Sequence, residues 1–174
     1  MTFGELLLKN EDAIAGRWLD DVLATYSDNA SVTFKQQKDP FANPVGNSLR
    51  LGTRGIVETL LREVDSEKIH GHLCEMVKIR AVQQFSPSEA VGFVFRLKEA
   101  VRAGLGKAAA EPRFSADLAK LDGQIDQIAL AAFDIFTQCR EQVSELRLNE
   151  VKRRVSWVVD KLNGRRPDPK NSAG

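Results

Sequence analysis

The chain has 174 residues, 43% of them hydrophobic, and 25 Lys and Arg against 24 Asp and Glu give a formal net charge of +1. That is enough apolar material for one sizeable core and too little length for two comfortable domains. So even a balance argues against nucleic acid or an anionic membrane as the bulk electrostatic partner, and no run approaches the roughly twenty apolar residues of a membrane span.

The N-terminus offers only Leu6 to Leu8 as an apolar run, followed by Glu11 and Asp12, with no basic leader, so a soluble cytoplasmic protein is expected. Cys74 and Cys139 stand alone within helical patterns, which suits reduced, buried thiols. Apolar spacing near 3.6 residues recurs along the chain and nothing alternates with period two over a useful length; the expected fold is all-α. A first helix is predicted from Phe3 to Tyr26, with Ile14, Trp18, Val22 and Tyr26 one turn apart beside Leu19 and Leu23. Glu11-Asp12 and Asp20-Asp21 read as solubilising carboxylates on its outer face. Asp39-Pro40 and Asn43-Pro44 then push the residue before each proline out of the α region, giving a loop from Asp28 to Pro44 with one short helix near Val32 to Gln37.

Asn43 before Pro44 is a helix start, because the amide side chain caps free N–H groups and proline at the first helical position loses no needed donor. The second helix is predicted to reach Val64, with a core row of Val45, Leu49, Gly52, Ile56 and Leu60. Its three glycines, Gly46, Gly52 and Gly55, suit either a close helix crossing or an irregular first half. A third helix, capped by Asp65 or Ser66, buries Ile69, Leu73, Met76 and Val77 and reaches Gln84. Ser86-Pro87-Ser88-Glu89 has the spacing of a capping box, with Pro87 at the first helical position. The fourth helix buries Ala90, Val94, Leu97, Val101 and Leu105, carries Phe93 and Phe95 on its flanks, and is closed by Gly104 and Gly106. Lys107 to Phe114 is a linker.

The last helical region opens at Ser115 or Asp117 with a break near Asp122-Gly123. From Ile125 to Leu162 it contains neither proline nor glycine. Ile125, Ile128, Ala132, Ile135, Cys139 and Leu146 form one apolar row, and after a slip Leu148, Val151, Val155, Val158 and Leu162 form a second. A helix of nearly forty residues reaches roughly 55 Å, whereas a folded chain of this size has a radius of gyration of about 16 Å. The row needs a partner: either the helix breaks near the slip and folds back on its own domain, or, as is expected here, the chain forms a homodimer, with Ile135, Cys139, Val143, Leu146, Arg147, Arg153 and Arg154 as the contacts. From Arg147 onward eight Lys or Arg face three Asp or Glu, leaving the remainder of the chain acidic. The expected organisation is a helical core over residues 1–122, a long helix over 123–163, and a disordered tail over 164–174.

No serine, histidine and aspartate set, glycine-framed carboxylate pair or phosphate cradle is present. The expectation is a protein that is no enzyme and carries no cofactor. His70, His72 and Cys74 share a short stretch, but two or three candidate ligands without a fourth fall short of structural zinc. Haem ligation by one of the histidines is the alternative for a four- or five-helix pocket. Arg80 lies on the Leu73, Met76 and Val77 side of its helix with Gln83 one turn on. Together they form a polar spot that either holds the corner to the next helix or contacts a small molecule or a partner.

Phe41-Ala42-Asn43-Pro44-Val45-Gly46, Ile79-Arg80-Ala81-Val82-Gln83 running into Phe85-Ser86-Pro87-Ser88-Glu89-Ala90, and Phe95-Arg96-Leu97-Lys98 resemble the N-terminal sensor-like domain of the RsbT co-antagonist proteins, RsbRD type. The helix from Leu6 to Tyr26, with Arg17-Trp18 at its middle, is similar too. The resemblance spans roughly Leu6 to Leu105, with the long terminal helix equivalent to the family's linker helix. It implies a globin-like helical bundle of about five helices without haem, dimeric, that regulates a partner-switching stress pathway by contact with a signalling protein. Larger members carry a phosphorylatable STAS domain after the linker. None follows Gly164 here, so the usual platform for a kinase partner is not expected.

Overall fold

The computed structural model describes residues 1–62, 65–83 and 85–164. Among them are eight α-helices and two 3-10 segments, with no strand. They are α1 (Phe3–Lys9), α2 (Glu11–Leu23), α3 (Asp28–Gln36), α4 (Pro44–Arg62), α5 (Ser66–Val82), α6 (Pro87–Gly92), α7 (Arg96–Leu105) and α8 (Ser115–Asn163), with 3-10 turns at Gly106–Ala110 and Pro112–Phe114. Compact structure falls into two units, Met1–Cys139 and Arg140–Gly174. The predicted helix ends at Val64 and Gln84, and the predicted tail beyond Gly164, lie outside the described residues.

In the first unit α2 packs on both α4 and α7, and α4 in turn packs on α5. Ile14, Trp18 and Val22 of α2 are wholly buried, as the one-turn spacing predicts. Leu118, Leu121, Ile125, Ile128, Ala132, Ile135 and Phe136 of α8 close the same core. Lys98 reaches Asp126 at 2.6 Å and Arg102 pairs with Asp122, so ion pairs tie α7 to this half of α8.

Local sequence sets most of the helix ends. Asn43 Oδ1 accepts from the Gly46 amide at 2.8 Å while its Nδ2 donates to the carbonyls of Phe34 and Gln37, so one buried amide caps α4 and anchors the loop before it. Ser86 and Glu89 form the predicted capping box at α6. Gly106 closes α7 with φ of +55°, a conformation that favours glycine.

Two helices that periodicity joins are broken in the structure. The first stops at Asn10, whose Nδ2 donates to the Leu6 carbonyl, and restarts at Glu11. Glu11 is consequently buried and accepts from Arg62 Nε and Nη2 at 3.1 and 3.3 Å, so it is a bridge from α2 to α4 rather than a solubilising carboxylate. The fourth breaks between Gly92 and Arg96. There the backbone tightens into three-residue hydrogen bonds, Val94 to Val91 through Lys98 to Phe95, and the Phe93 carbonyl accepts from the Trp18 indole at 2.8 Å. Phe93 is thereby buried rather than flanking. The loop after Tyr26 holds a longer helix than predicted, nine residues of α3. α8 runs 49 residues without a break at Gly123.

Gly52 and Gly55 do mark a close crossing. A Cβ on Gly52 would lie 2.5 Å from Met76 Cγ and Sδ, and one on Gly55 would lie 2.3 Å from the His72 ring, both on α5. A Cβ on Gly123 meets nothing within 4 Å. Gly52→Ala should therefore lower stability by about 1 to 3 kcal/mol through overpacking, whereas Gly123→Ala should raise it by roughly 1 kcal/mol through helix propensity. Urea denaturation of the two variants beside the parent measures both, and equal effects would show that Met76 yields freely.

Candidate functional site

Two features stand apart from ordinary packing, one in each unit. The first is Arg80. Leu73, Met76 and Val77 turn its side of α5 inward, and the side chain follows them to 0% exposure. Its Nη2 donates to Thr25 Oγ1 at 2.8 Å and the Val22 carbonyl at 3.4 Å, and its Nη1 donates to the Glu89 carbonyl at 3.2 Å. The guanidinium carbon lies 4.7, 4.8 and 5.2 Å from the ring centres of Phe93, Phe85 and Tyr26. Among the described residues no carboxylate pairs with it, and Arg80 Nε, Tyr26 Oη and Gln83 Oε1 are buried without a hydrogen-bond partner. Arg80 and Gln83 are both at the corner, where the Gln83 N–H donates to the Arg80 carbonyl at 3.2 Å and closes α5, but no hydrogen bond joins their side chains among the described residues. Sequence reasoning missed the aromatic box, because Tyr26, Phe85 and Phe93 come from three separate places in the chain.

Burial pushes the Arg80 guanidinium pKa down from its ordinary value, with Tyr26 opposing. A guanidinium titrates so far above neutrality that Arg80 is still a cation at pH 7. Carbonyl dipoles and π faces replace the missing counter-ion. Such a buried cation is costly to desolvate, so a well-packed apolar replacement should be tolerated better than a void. Arg80→Ala is expected to lose about 3 kcal/mol and Arg80→Met distinctly less, read by thermal and urea unfolding.

Burial also pushes the Tyr26 phenol pKa up from 10.0, with Arg80 opposing. A raised folded-state pKa means that the folded protein holds this proton more tightly. Stability from this group is full below the unfolded value near 10 and is lost as pH rises through the folded value. Tyr26 is the only tyrosine. Absorbance at alkaline pH therefore reports on it alone in the folded chain, and Tyr26→Phe should remove this component of alkaline destabilisation. A phenol titrating at the ordinary value would contradict the burial.

The second feature is the part of α8 in the second unit. Ile135 is buried in the core of the first unit, and Cys139 and Val143 are half-buried. Leu146 is 70% exposed, and Arg147, Arg153 and Arg154 are exposed with it. Beyond them Leu148, Val151, Val155, Trp157, Val158, Val159 and Leu162 are all exposed, Trp157 at 61%. A helical row of this length left open to water is uncommon in a monomer.

The remaining candidates do not converge. Burial pushes the Cys139 thiol up, Lys78 opposes and Cys74 adds to the rise, so the thiolate is disfavoured. Among the described residues no three of His, Cys, Asp and Glu are placed to hold a metal ion. His72 lies over Gly55, while His70 borders an open hollow of about 390 Å³ walled by Leu60, Ile69, Leu73, Ile128 and Ala131. No helix among the described residues is long and apolar enough to cross a membrane.

The family model described as the RsbT co-antagonist protein rsbRD N-terminal domain matches residues 12–151. The match extends well beyond Leu105 into α8. No curated protein and no solved structure matches the chain, so the globin-like arrangement rests on the resemblance alone.

Proposed function

The chain belongs to the family of RsbT co-antagonist protein rsbRD N-terminal domains, and from that premise we propose that it is a non-catalytic regulatory domain of a stress-signalling, partner-switching pathway in the cytoplasm. It acts by contact. The observation that carries this reading is the apolar face of α8 from Leu146 to Leu162, exposed along its whole length. An open face gains free energy when covered, at roughly 25 cal/mol for each Å² of apolar surface removed from water, so it is suited to binding.

A homodimer through the stretch that precedes Arg147 is a further contact. Ile135, committed to the core of its own unit, is no anchor for it, which leaves Leu146 with the half-buried Cys139 and Val143. Light scattering of the intact chain at micromolar concentration tests self-association directly, and a monomer mass rejects it.

A second reading, sensing of a small apolar ligand, is favoured by the hollow beside His70. A visible absorption band from bound haem, or a thermal shift with a small apolar compound, would support it.

For the contact reading, Leu148→Glu with Val155→Glu in the full chain should leave helicity and melting temperature within error, since both side chains are exposed. The variant should lose the pathway proteins that the parent recovers from extracts of its own cells, as counted by mass spectrometry. Equal recovery would place the functional surface on the first unit.

A further inference from the structure

The charges beside the terminal apolar row identify what it fits. Leu148, Val151, Val155, Val158 and Leu162 follow alternating three- and four-residue steps, so they occupy the seam positions of a heptad. The positions bordering that seam are Arg147, Arg154 and Lys161 on one side and Lys152 and Val159 on the other. Every charged residue on the border is basic. Glu150 and Asp160 fall on the outer positions, away from the seam. Arg154 reaches back to Glu150, and Lys161 lies 4.5 Å from the Trp157 ring centre, both at exposed positions where such contacts are weak and exchangeable. Arg147 and Lys152 have no acidic partner among the described residues.

A second copy of this helix meets the wrong charges in either orientation. Parallel pairing sets Arg147 of one helix against Lys152 of the next, and antiparallel pairing sets each border against its own kind. A helix with acidic borders gains the same apolar burial and attraction besides. We propose that the segment of α8 from Arg147 to Leu162 docks an acidic amphipathic helix of a partner protein. The proposal rests on the contact reading above and adds the chemistry of the partner.

The probe is a pair of synthetic helical peptides of about three heptads with identical leucine and valine seams, one with glutamate at every border position and one with lysine. Binding to the full chain is followed by anisotropy of a dye on the peptide. At low salt the glutamate peptide should bind on the order of tenfold more tightly or better, and the gap should close toward 1 M salt as the charges are screened. The variant R147E/K152E/R154E/K161E, changed only at exposed positions, should reverse the preference. Equal affinities for the two peptides overturn the proposal, as does a preference that survives the charge reversal. So does a stable dimer of the full chain that excludes both peptides. Any of these leaves the contact reading standing, because recovery of pathway proteins by the parent and its loss in L148E/V155E are measured without the peptides.

Discussion

The guanidinium of Arg80 sits inside the first unit with no carboxylate paired to it among the described residues, and the surrounding corner is arranged to make that tolerable. Its donors reach the end of α2 through the Val22 carbonyl and Thr25, and the first turns of α6 through the Glu89 carbonyl. Three rings close round it, and the same Phe93 that stacks on Trp18 gives its carbonyl to the Trp18 indole. Arg80 thereby joins α2, α5 and α6 at one point. At the break between α6 and α7 the Phe93 carbonyl accepts both from the Arg96 N–H, at 3.2 Å, and from the Trp18 indole, at 2.8 Å, while its ring turns inward onto Arg80 and Trp18. A buried charge held by dipoles and π faces gains specificity of arrangement more than net stability.

The helix pair α4 and α5 shows the complementary device. Here the constraint is the absence of side chains, at Gly52 and Gly55, which lets Met76 and His72 of α5 lie against the α4 backbone. Glycine in a helix costs about 1 kcal/mol relative to alanine, and the close approach returns dispersion contacts along the crossing. Corner and crossing together fix α5 from two sides, which is why its buried face can carry an arginine where apolar residues would be ordinary.

α8 changes character along its length without any change in backbone. Up to Phe136 its apolar residues belong to the core, and Lys98 and Arg102 of α7 clasp its acidic flank at Asp126 and Asp122. From Leu146 to Leu162 its apolar residues are open to water and their borders are basic. The same periodicity therefore builds the core in one stretch and leaves an exposed apolar face in the other.

What the sequence determined by itself is what acts over one or two helical turns. Period 3.6, the capping box at Ser86 and Glu89, the Asn43 cap, the stop at Gly106 and the apolar rows of α8 are all local, and each was legible from spacing and residue type. The family, too, was carried by short motifs. Tertiary structure decided what depends on residues far apart in the chain. Packing turned Glu11 from a surface carboxylate into the partner of Arg62, and gave the Trp18 indole its acceptor, the Phe93 carbonyl, 75 residues away. Tyr26, Phe85 and Phe93 became the box around Arg80. Ile135 and Leu146 lie on one sequence row, yet the first is buried and the second is exposed. Periodicity states only that a face is apolar; which neighbour covers it is settled by the packing of the whole unit, because burial is a property of the surroundings and not of the residue.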